Sequence, residues 1–246
     1  MEITEKGLWL ETIEVFQRNL KPCLAYMGTM LAIVAAQEFI STNSSLSVAE
    51  AFAAAMLAIP AHLTVLKNKS GFESMDDATS SRLLMPFVFR GIGLGMFAAI
   101  PFVIAIVALL AAGMPELTAI FASGAILLVS SVGIFAKWGT MLPAVLARDD
   151  KTLARAGQRG SLIMSYALPR LLLCFGLLTI IEIGIFTGYS TMGNGDGSFF
   201  PATGGFDFVL LAITIMGVLF GAFQIVMTAV ILSRSYLRAE GKTAVV

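Results

Sequence analysis

Six apolar stretches, each about as long as a membrane-crossing helix, limit what this chain can fold into. A transmembrane α-helix needs about 20 consecutive, mostly apolar residues. In this chain 57% of the residues are hydrophobic and 13% are charged, whereas soluble domains carry about 25% charged residues. We therefore predict an all-α membrane protein, a single domain over residues 1–246, with six spans at residues 22–41, 47–66, 86–112, 116–138, 168–188 and 207–232.

The positions of the Lys and Arg residues predict the direction in which these stretches run. All sixteen lie in the N-terminal segment, in the connections that follow the second and fourth stretches, in the C-terminal tail, or just inside the adjoining helix ends. The other three connections, residues 41–47, 111–116 and 189–206, contain none. Short loops rich in Lys and Arg stay in the cytoplasm. The sequence thus predicts three in-out-in hairpins with both termini in the cytoplasm.

Each odd-numbered stretch begins near a proline, at Pro22, Pro86 and Pro169. Proline fits the first turn of a helix, where its missing N–H would have no partner inside the helix anyway. The repetition indicates three similar hairpins, although shared helix-end chemistry alone would give the same pattern.

Residues 6–20 are predicted to form an amphipathic helix outside the spans. At helical spacing Trp9, Ile13, Phe16 and Leu20 share one face, and the charged residues lie elsewhere. A helix of this kind lies in the plane of the membrane surface, with its apolar face against lipid.

The connection over residues 148–167 is predicted to contain a second, basic amphipathic helix on the cytoplasmic side. Lys151, Arg155 and Arg159 recur every four residues along it, next to Arg148. These four residues are candidate contacts for anionic lipid headgroups, because each basic residue near such a surface contributes about 1 kcal/mol. The alternative is that they only set the topology.

Three polar residues lie at membrane depth. Glu38 and Glu182 fall in the outer halves of the first and fifth stretches, where the sequence offers no Lys or Arg to pair with them. A buried carboxylate is costly, so each is either a cation or proton ligand or an interfacial group that reaches water. Gln224, in the last stretch, is a candidate for a hydrogen bond between helices.

Small residues recur at every fourth position on several stretches. Such stripes allow close packing of helices within the bundle, and they also leave open contact with a membrane-protein partner or a second copy of the chain. The stripes are Gly28-Ala32-Ala36, Gly91-Gly95-Ala99, Gly184-Gly188 and Gly217-Gly221.

Sequence motifs for catalysis are lacking. There is no nucleophile elbow and no phosphate loop, and the single histidine rules out a zinc helix of paired histidines. We therefore predict a non-enzymatic protein without a metal or another cofactor. A net charge of zero gives no global attraction for nucleic acid, and membrane lipids are the predicted partners.

Residues 136–178, AKWGTMLPAVLARDDKTLARAGQRGSLIMSYALPRLLLCFGLL, contain a helix end in Leu142, Pro143, Ala144 and Val145, then a basic helix and the next span. This order resembles the membrane domain of the glycerophosphoryl diester phosphodiesterase family and its free-standing six-helix bacterial relatives. The segment FQRNLKPCL near the N-terminus also fits that pattern. The resemblance implies an accessory domain in the bacterial inner membrane. It transfers no catalytic residues, because the sequence contains no phosphodiesterase domain.

Two functions are compatible with these observations. The first is a non-enzymatic accessory or lipid-interacting membrane protein that contacts anionic headgroups on the cytoplasmic side. The alternative is a component of a small-molecule or lipid transporter, which would require Glu38, Glu182 and Gln224 to face a common interior.

Overall fold

The computed structural model describes residues 7–39, 47–80, 82–191, 199–200 and 205–242. Within these ranges every regular element is an α-helix, as predicted. The described helices are α1 (Leu8–Arg18), α2 (Leu20–Phe39), α3 (Ser47–Lys67), α4 (Gly71–Ser80), α5 (Leu84–Ala111), α6 (Glu116–Trp138), α7 (Met141–Ala147), α8 (Leu153–Thr191) and α9 (Phe208–Ala239). Six of them, α2, α3, α5, α6, α8 and α9, are long and apolar enough to cross a membrane.

Helix α9 is the central element of the bundle. It packs against α3, α8 and α2 among the long helices, and against the short helices α1 and α7. Helix α6 packs between α5 and α8, and α2 packs along α3. Helix α5 packs against α6, α7 and α3, has no extensive contact with α9, and lies at the periphery.

Basic side chains from different helices meet at one end of the bundle, which we call the basic end. Lys67, at the end of α3, donates to the backbone carbonyl of Leu146 in α7 at 2.9 Å. Arg234, near the end of α9, pairs with Glu11 of α1 at 2.7 Å. The C-terminal ends of α3, α7 and α9 therefore lie at one level, with α1 beside them.

The tightly packed core is concentrated at this basic end. Ile59 of α3 and Ile231 of α9 are fully buried, and α7 is buried over almost its whole length. Farther from the basic end, large apolar side chains of α5 are exposed, among them Phe97 and Ile104. Lipid tails are as apolar as these side chains, so the exposed surface fits a helix that faces lipid.

The predicted spans agree with the long helices except around residues 148–188. There the predicted basic helix is not a separate element, because α8 runs unbroken for 39 residues from Leu153 and contains Pro169 in its interior. One proline removes a single intrahelical hydrogen bond, and neighbouring helices can compensate for that loss. Pro22 and Pro86, by contrast, lie in the first turns of α2 and α5, as predicted.

Two short helices were not predicted. Helix α7 follows α6 after a two-residue break at Gly139 and Thr140, which both keep right-handed helical backbone angles. A Cβ atom on Gly139 would lie 2.7 Å from a side-chain carbon of Leu232 in α9. Helix α4 begins at Gly71, which has φ of +69° and donates its N–H to the side chain of Asn19 at 2.9 Å. Both helices depend on tertiary contacts, which hydropathy does not report.

Candidate functional site

Arg159 is the centre of a charged layer at the basic end. It lies in the second turn of α8, and its side chain is 1% exposed. Nε donates to Glu240 Oε1 at 2.6 Å, Nη1 donates to the Asp150 carbonyl at 2.6 Å, and Nη2 lies 3.7 Å from Asp149 Oδ2. A buried charge is stable only when it is paired and hydrogen-bonded in this way. Arg159 therefore joins α8 to the loop before it and to the residue that follows α9.

The two carboxylates around Arg159 are held in their charged forms. Asp149 accepts hydrogen bonds from the Tyr236 hydroxyl at 2.7 Å and from Lys242 Nζ at 3.2 Å. These bonds, led by the one from Tyr236, lower the pKa of Asp149 below its usual range. The hydrogen bond from Arg159 likewise lowers the pKa of Glu240. At neutral pH both groups are anionic and neutralise the basic residues beside them.

The four predicted headgroup residues have different environments. Arg148 and Lys151 are exposed. Arg155 is half-buried, and its Nη2 lies 3.2 Å from Glu240 Oε1. Arg159 is buried against the same carboxylate. The periodic basic stripe thus divides into an exposed pair, Arg148 and Lys151, and a pair that shares the single carboxylate of Glu240.

Helix α1 exposes only part of its apolar surface. Trp9 and Ile13 are 41% and 43% exposed, whereas Val15 is fully buried and Phe16 packs against the core. Glu11 is also buried and is bonded to Arg234, and Trp9 stacks on Phe223 of α9 at a centroid distance of 6.0 Å. The helix is therefore fixed to the bundle by polar and apolar contacts, and Trp9 and Ile13 keep exposed surface that lipid can contact.

A partly open, apolar cavity of about 410 Å³ lies between α3, α5 and α9, with contributions from α6, α7 and α8. Small residues of α3 and α5 form two of its walls, and its polar lining residues are His62, Gln224 and Thr228. His62 is buried, and its Nδ1 lies 2.7 Å from Ser233 Oγ near the basic end. Cavities of this size commonly bind small apolar ligands.

The three intramembrane polar candidates are not gathered in one cavity. Gln224 lines the cavity beside His62, whereas Glu182 lines a smaller one of about 290 Å³ between α8 and α9. Glu38 Oε1 accepts a hydrogen bond at 3.1 Å from the backbone N–H of Phe199, which precedes α9. The common interior that a transport site needs is therefore not formed by these three residues.

The small-residue stripes do not mark the close helix contacts within this chain. A Cβ atom built on Gly28, Gly91, Gly95, Gly184 or Gly217 meets nothing within 4 Å. The close crossing is instead at Gly160 of α8, where a Cβ would lie 2.0 Å from the Lys137 carbonyl oxygen of α6. The predicted role of the stripes in packing is wrong at those five glycines.

Sequence reasoning missed a polar cleft of about 500 Å³ beside the junction of α1 and α2. Arg18 and Lys21 line one side of it, and Ser70, Gly71 and Glu73 line the other. The sequence shows Pro22 near the start of α2 and Gly71 at the start of α4. No sequence pattern indicated that these two helix starts lie next to each other.

Within the described ranges, no group of three or more His, Cys, Asp or Glu side chains is placed to hold a metal ion. No protein-family model, curated protein or solved structure matches this chain. The function proposed below is therefore supported by the sequence and the structure of this chain, and not by similarity to a known protein.

Proposed function

We propose that this chain is a non-enzymatic multi-pass protein of the bacterial inner membrane that contacts anionic lipid headgroups at its cytoplasmic face. The proposal places six spans in three in-out-in hairpins, with both termini at the basic end. It extends the resemblance to the phosphodiesterase membrane domain, which implies an accessory role.

The observation that carries the proposal is the contrast between the two parts of the bundle. Basic residues from separate segments lie together at one end, as the contacts of Lys67 and Arg234 illustrate. The long helices away from that end expose large apolar side chains. A charged layer next to an exposed apolar belt is the arrangement that a bilayer and its cytoplasmic surface favour.

Arg148 and Lys151 are the residues that we assign to the headgroups, because both are exposed on the basic end. Arg155 and Arg159 both contact the carboxylate of Glu240 and are less exposed. Each exposed base near an anionic surface contributes about 1 kcal/mol. The apolar face of α1, with Trp9 and Ile13, would lie against the same leaflet.

The test compares Arg148→Gln/Lys151→Gln with Lys69→Gln/Arg82→Gln, which removes the same charge from a different connection. Binding to phosphatidylglycerol over phosphatidylcholine is measured by native mass spectrometry. We expect the first pair to lower the preference by about 2 kcal/mol, or roughly thirtyfold, and the second pair to lower it much less. Unchanged lipid preference in the first pair would end the proposal of a headgroup site.

The transporter alternative has weaker support. It needs Glu38, Glu182 and Gln224 to act together, and these residues lie in separate environments. A flux assay in which Glu182→Gln altered coupling would revive it.

A further inference from the structure

The cavity between α3, α5 and α9 has an elongated form. On α3 its lining runs from Ala51 to His62, a distance of about 16 Å along the helix at about 1.5 Å per residue. The space thus extends from the outer half of α3 almost to the basic end. A volume of about 410 Å³ spread over this length fits a chain better than it fits a compact solute.

The walls of the cavity are made of small residues that leave the space open. Gly91 and Gly95 of α5 line it opposite Ala54 and Ala58 of α3. No atom lies within 4 Å of a Cβ built on either glycine. Protein interiors are normally close-packed, and water does not occupy an apolar cavity favourably. Hydrocarbon is the component of a membrane that would fill it.

His62 is the polar lining residue nearest the basic end, and Thr228 and Gln224 of α9 line the cavity farther from that end. His62 is 1% exposed, and its Nδ1 is engaged with Ser233 Oγ. Its Nε2 has no hydrogen-bond partner in the described part of the chain. Depending on the tautomer, Nε2 can donate to or accept from an oxygen-bearing group within the cavity.

This polarity matches that of a lipid in the leaflet at the basic end. Such a lipid has its carboxyl or ester oxygens near the membrane surface and its chain toward the centre of the bilayer. The cavity likewise has His62 near the basic end, and beyond it the walls from α3 and α5 carry small apolar residues, while Thr228 and Gln224 lie on the α9 wall.

We propose that this cavity holds one acyl chain, with its carboxyl or ester oxygen near His62 and its methylenes between α3 and α5. The proposal rests on the membrane placement of the proposed function but not on the headgroup contacts of Arg148 and Lys151. A free fatty acid and a chain of a membrane phospholipid share this chemistry.

The experiment uses the full chain in phosphatidylcholine vesicles that contain one of two probes. The first probe is palmitic acid with a diazirine in its chain, and the second is phosphatidylglycerol with the same diazirine chain. After irradiation, labelled peptides are mapped by mass spectrometry. We expect labels on the segments of α3 and α5 that carry Ala54, Ala58, Gly91 and Gly95. Labelling by the first probe alone would identify a free fatty acid as the source, and labelling by the second would identify a bilayer lipid.

Gly95→Leu fills the cavity, and Gly93→Leu on the same helix is the matched control, because Gly93 does not line the cavity and also has open space around it. Ala54→Leu fills the cavity from the opposite wall. We expect both filling variants to reduce cavity labelling about tenfold, since they displace a few methylenes of the chain. Equal labelling in Gly95→Leu and Gly93→Leu, or labels confined to outward residues such as Phe97, would overturn the proposal.

Lipid preference and cavity labelling, measured together, distinguish the acyl-chain site from the headgroup site. If Arg148→Gln/Lys151→Gln changes neither lipid preference nor cavity labelling, the headgroup site fails and the acyl-chain site stands. If lipid preference falls while the cavity stays unlabelled, the headgroup site stands and the acyl-chain site fails.

Discussion

Arg159 Nε donates to Glu240 Oε1 at 2.6 Å and thereby ties the start of α8 to the residue that follows α9. The Arg159 side chain is 1% exposed and that of Glu240 is 14% exposed. Arg155 contacts the same carboxylate at 3.2 Å but has a 43% exposed side chain. One anion therefore serves two arginines in very different solvent environments, which allows a direct comparison of buried and exposed pairing.

We expect Arg159→Met to lower the free energy of unfolding by about 3 kcal/mol, because it leaves Glu240 without its buried partner. Arg155→Gln, the control at the same carboxylate, should cost less than about 1 kcal/mol, as exposed pairs do. Titration of SDS into dodecylmaltoside micelles measures both values. Equal losses in the two variants would show that burial of Arg159 has no energetic consequence.

The packing at the basic end should lose stability at acid pH. The pKa values of Asp149 and Glu240 are lowered in the folded state, through the hydrogen bonds from Tyr236 and Arg159 respectively. A carboxyl with a lowered folded pKa adds stability above its unfolded pKa, about 4. That contribution is lost as the pH falls through this value toward the folded pKa. Thermal unfolding in detergent between pH 6 and pH 3 should show the loss, and Asp149→Asn/Glu240→Gln should flatten the slope.

The contribution of Lys242 to stability has the opposite pH dependence. Its hydrogen bonds to Tyr236 and Asp149 raise its pKa, so its contribution is complete at neutral pH and is lost only when the pH rises through the raised pKa. Lys242→Gln should therefore lower stability at pH 7. It should also reduce the acid slope in part, because Lys242 is a minor cause of the lowered pKa of Asp149, whereas the hydrogen bonds from Tyr236 and Arg159 remain. Complete loss of the acid slope in this variant would contradict the assignment of that slope to the bonds from Tyr236 and Arg159.

Gly160 should not tolerate a side chain. The added Cβ of Gly160→Ala would lie 2.0 Å from the backbone carbonyl oxygen of Lys137, and backbone atoms cannot move aside cheaply. We expect a loss of about 3 kcal/mol in unfolding free energy, at the upper end for overpacking. Gly93→Ala should be neutral or stabilise by up to about 1 kcal/mol, because it meets no atom and favours the helix. A tolerated Gly160→Ala would mean that α6 and α8 cross farther apart.

The proposed topology predicts which positions are accessible from outside the cell. Ser44→Cys, in a connection without basic residues, should react with a membrane-impermeant maleimide on intact cells, and Lys151→Cys should react only after lysis. The two native cysteines, Cys23 and Cys174, are buried and give a low background. Labelling of Lys151→Cys from outside would invert the topology and remove the proposed headgroup site.

The sequence predicted the spans because long apolar runs and the positions of basic residues report directly on bilayer insertion. It did not predict the environment of Arg159, because an arginine every four residues is also typical of a solvated face. The sequence did contain a signal for the burial of Arg159, because the small or apolar residues Ala156, Gly160 and Ile163 follow helical spacing on the same side of α8. Burial of Glu11 was missed because its partner, Arg234, is 223 residues away in the sequence.

The candidate cavity could not be read from the sequence for a related physical reason. Gly91 and Gly95 have the spacing of a helix contact, and only the splayed position of α5 turns that spacing into empty space. The transporter alternative required Glu182 and Gln224 to face a common interior, and the sequence alone did not decide whether they do. Which cavity each one lines depends on the rotation of α8 and α9 about their own axes.

The unbroken path of α8 has a mechanical consequence. At about 1.5 Å per residue its 39 residues form a rod of about 58 Å, against about 30 Å for the hydrocarbon layer. The hydrogen bond from Arg159 to Glu240 holds α8 near its N-terminal end, and Glu182 lies toward its C-terminal end. If α8 moves as one body, a change of tilt at the contact between Arg159 and Glu240 also shifts the end of the helix that carries Glu182.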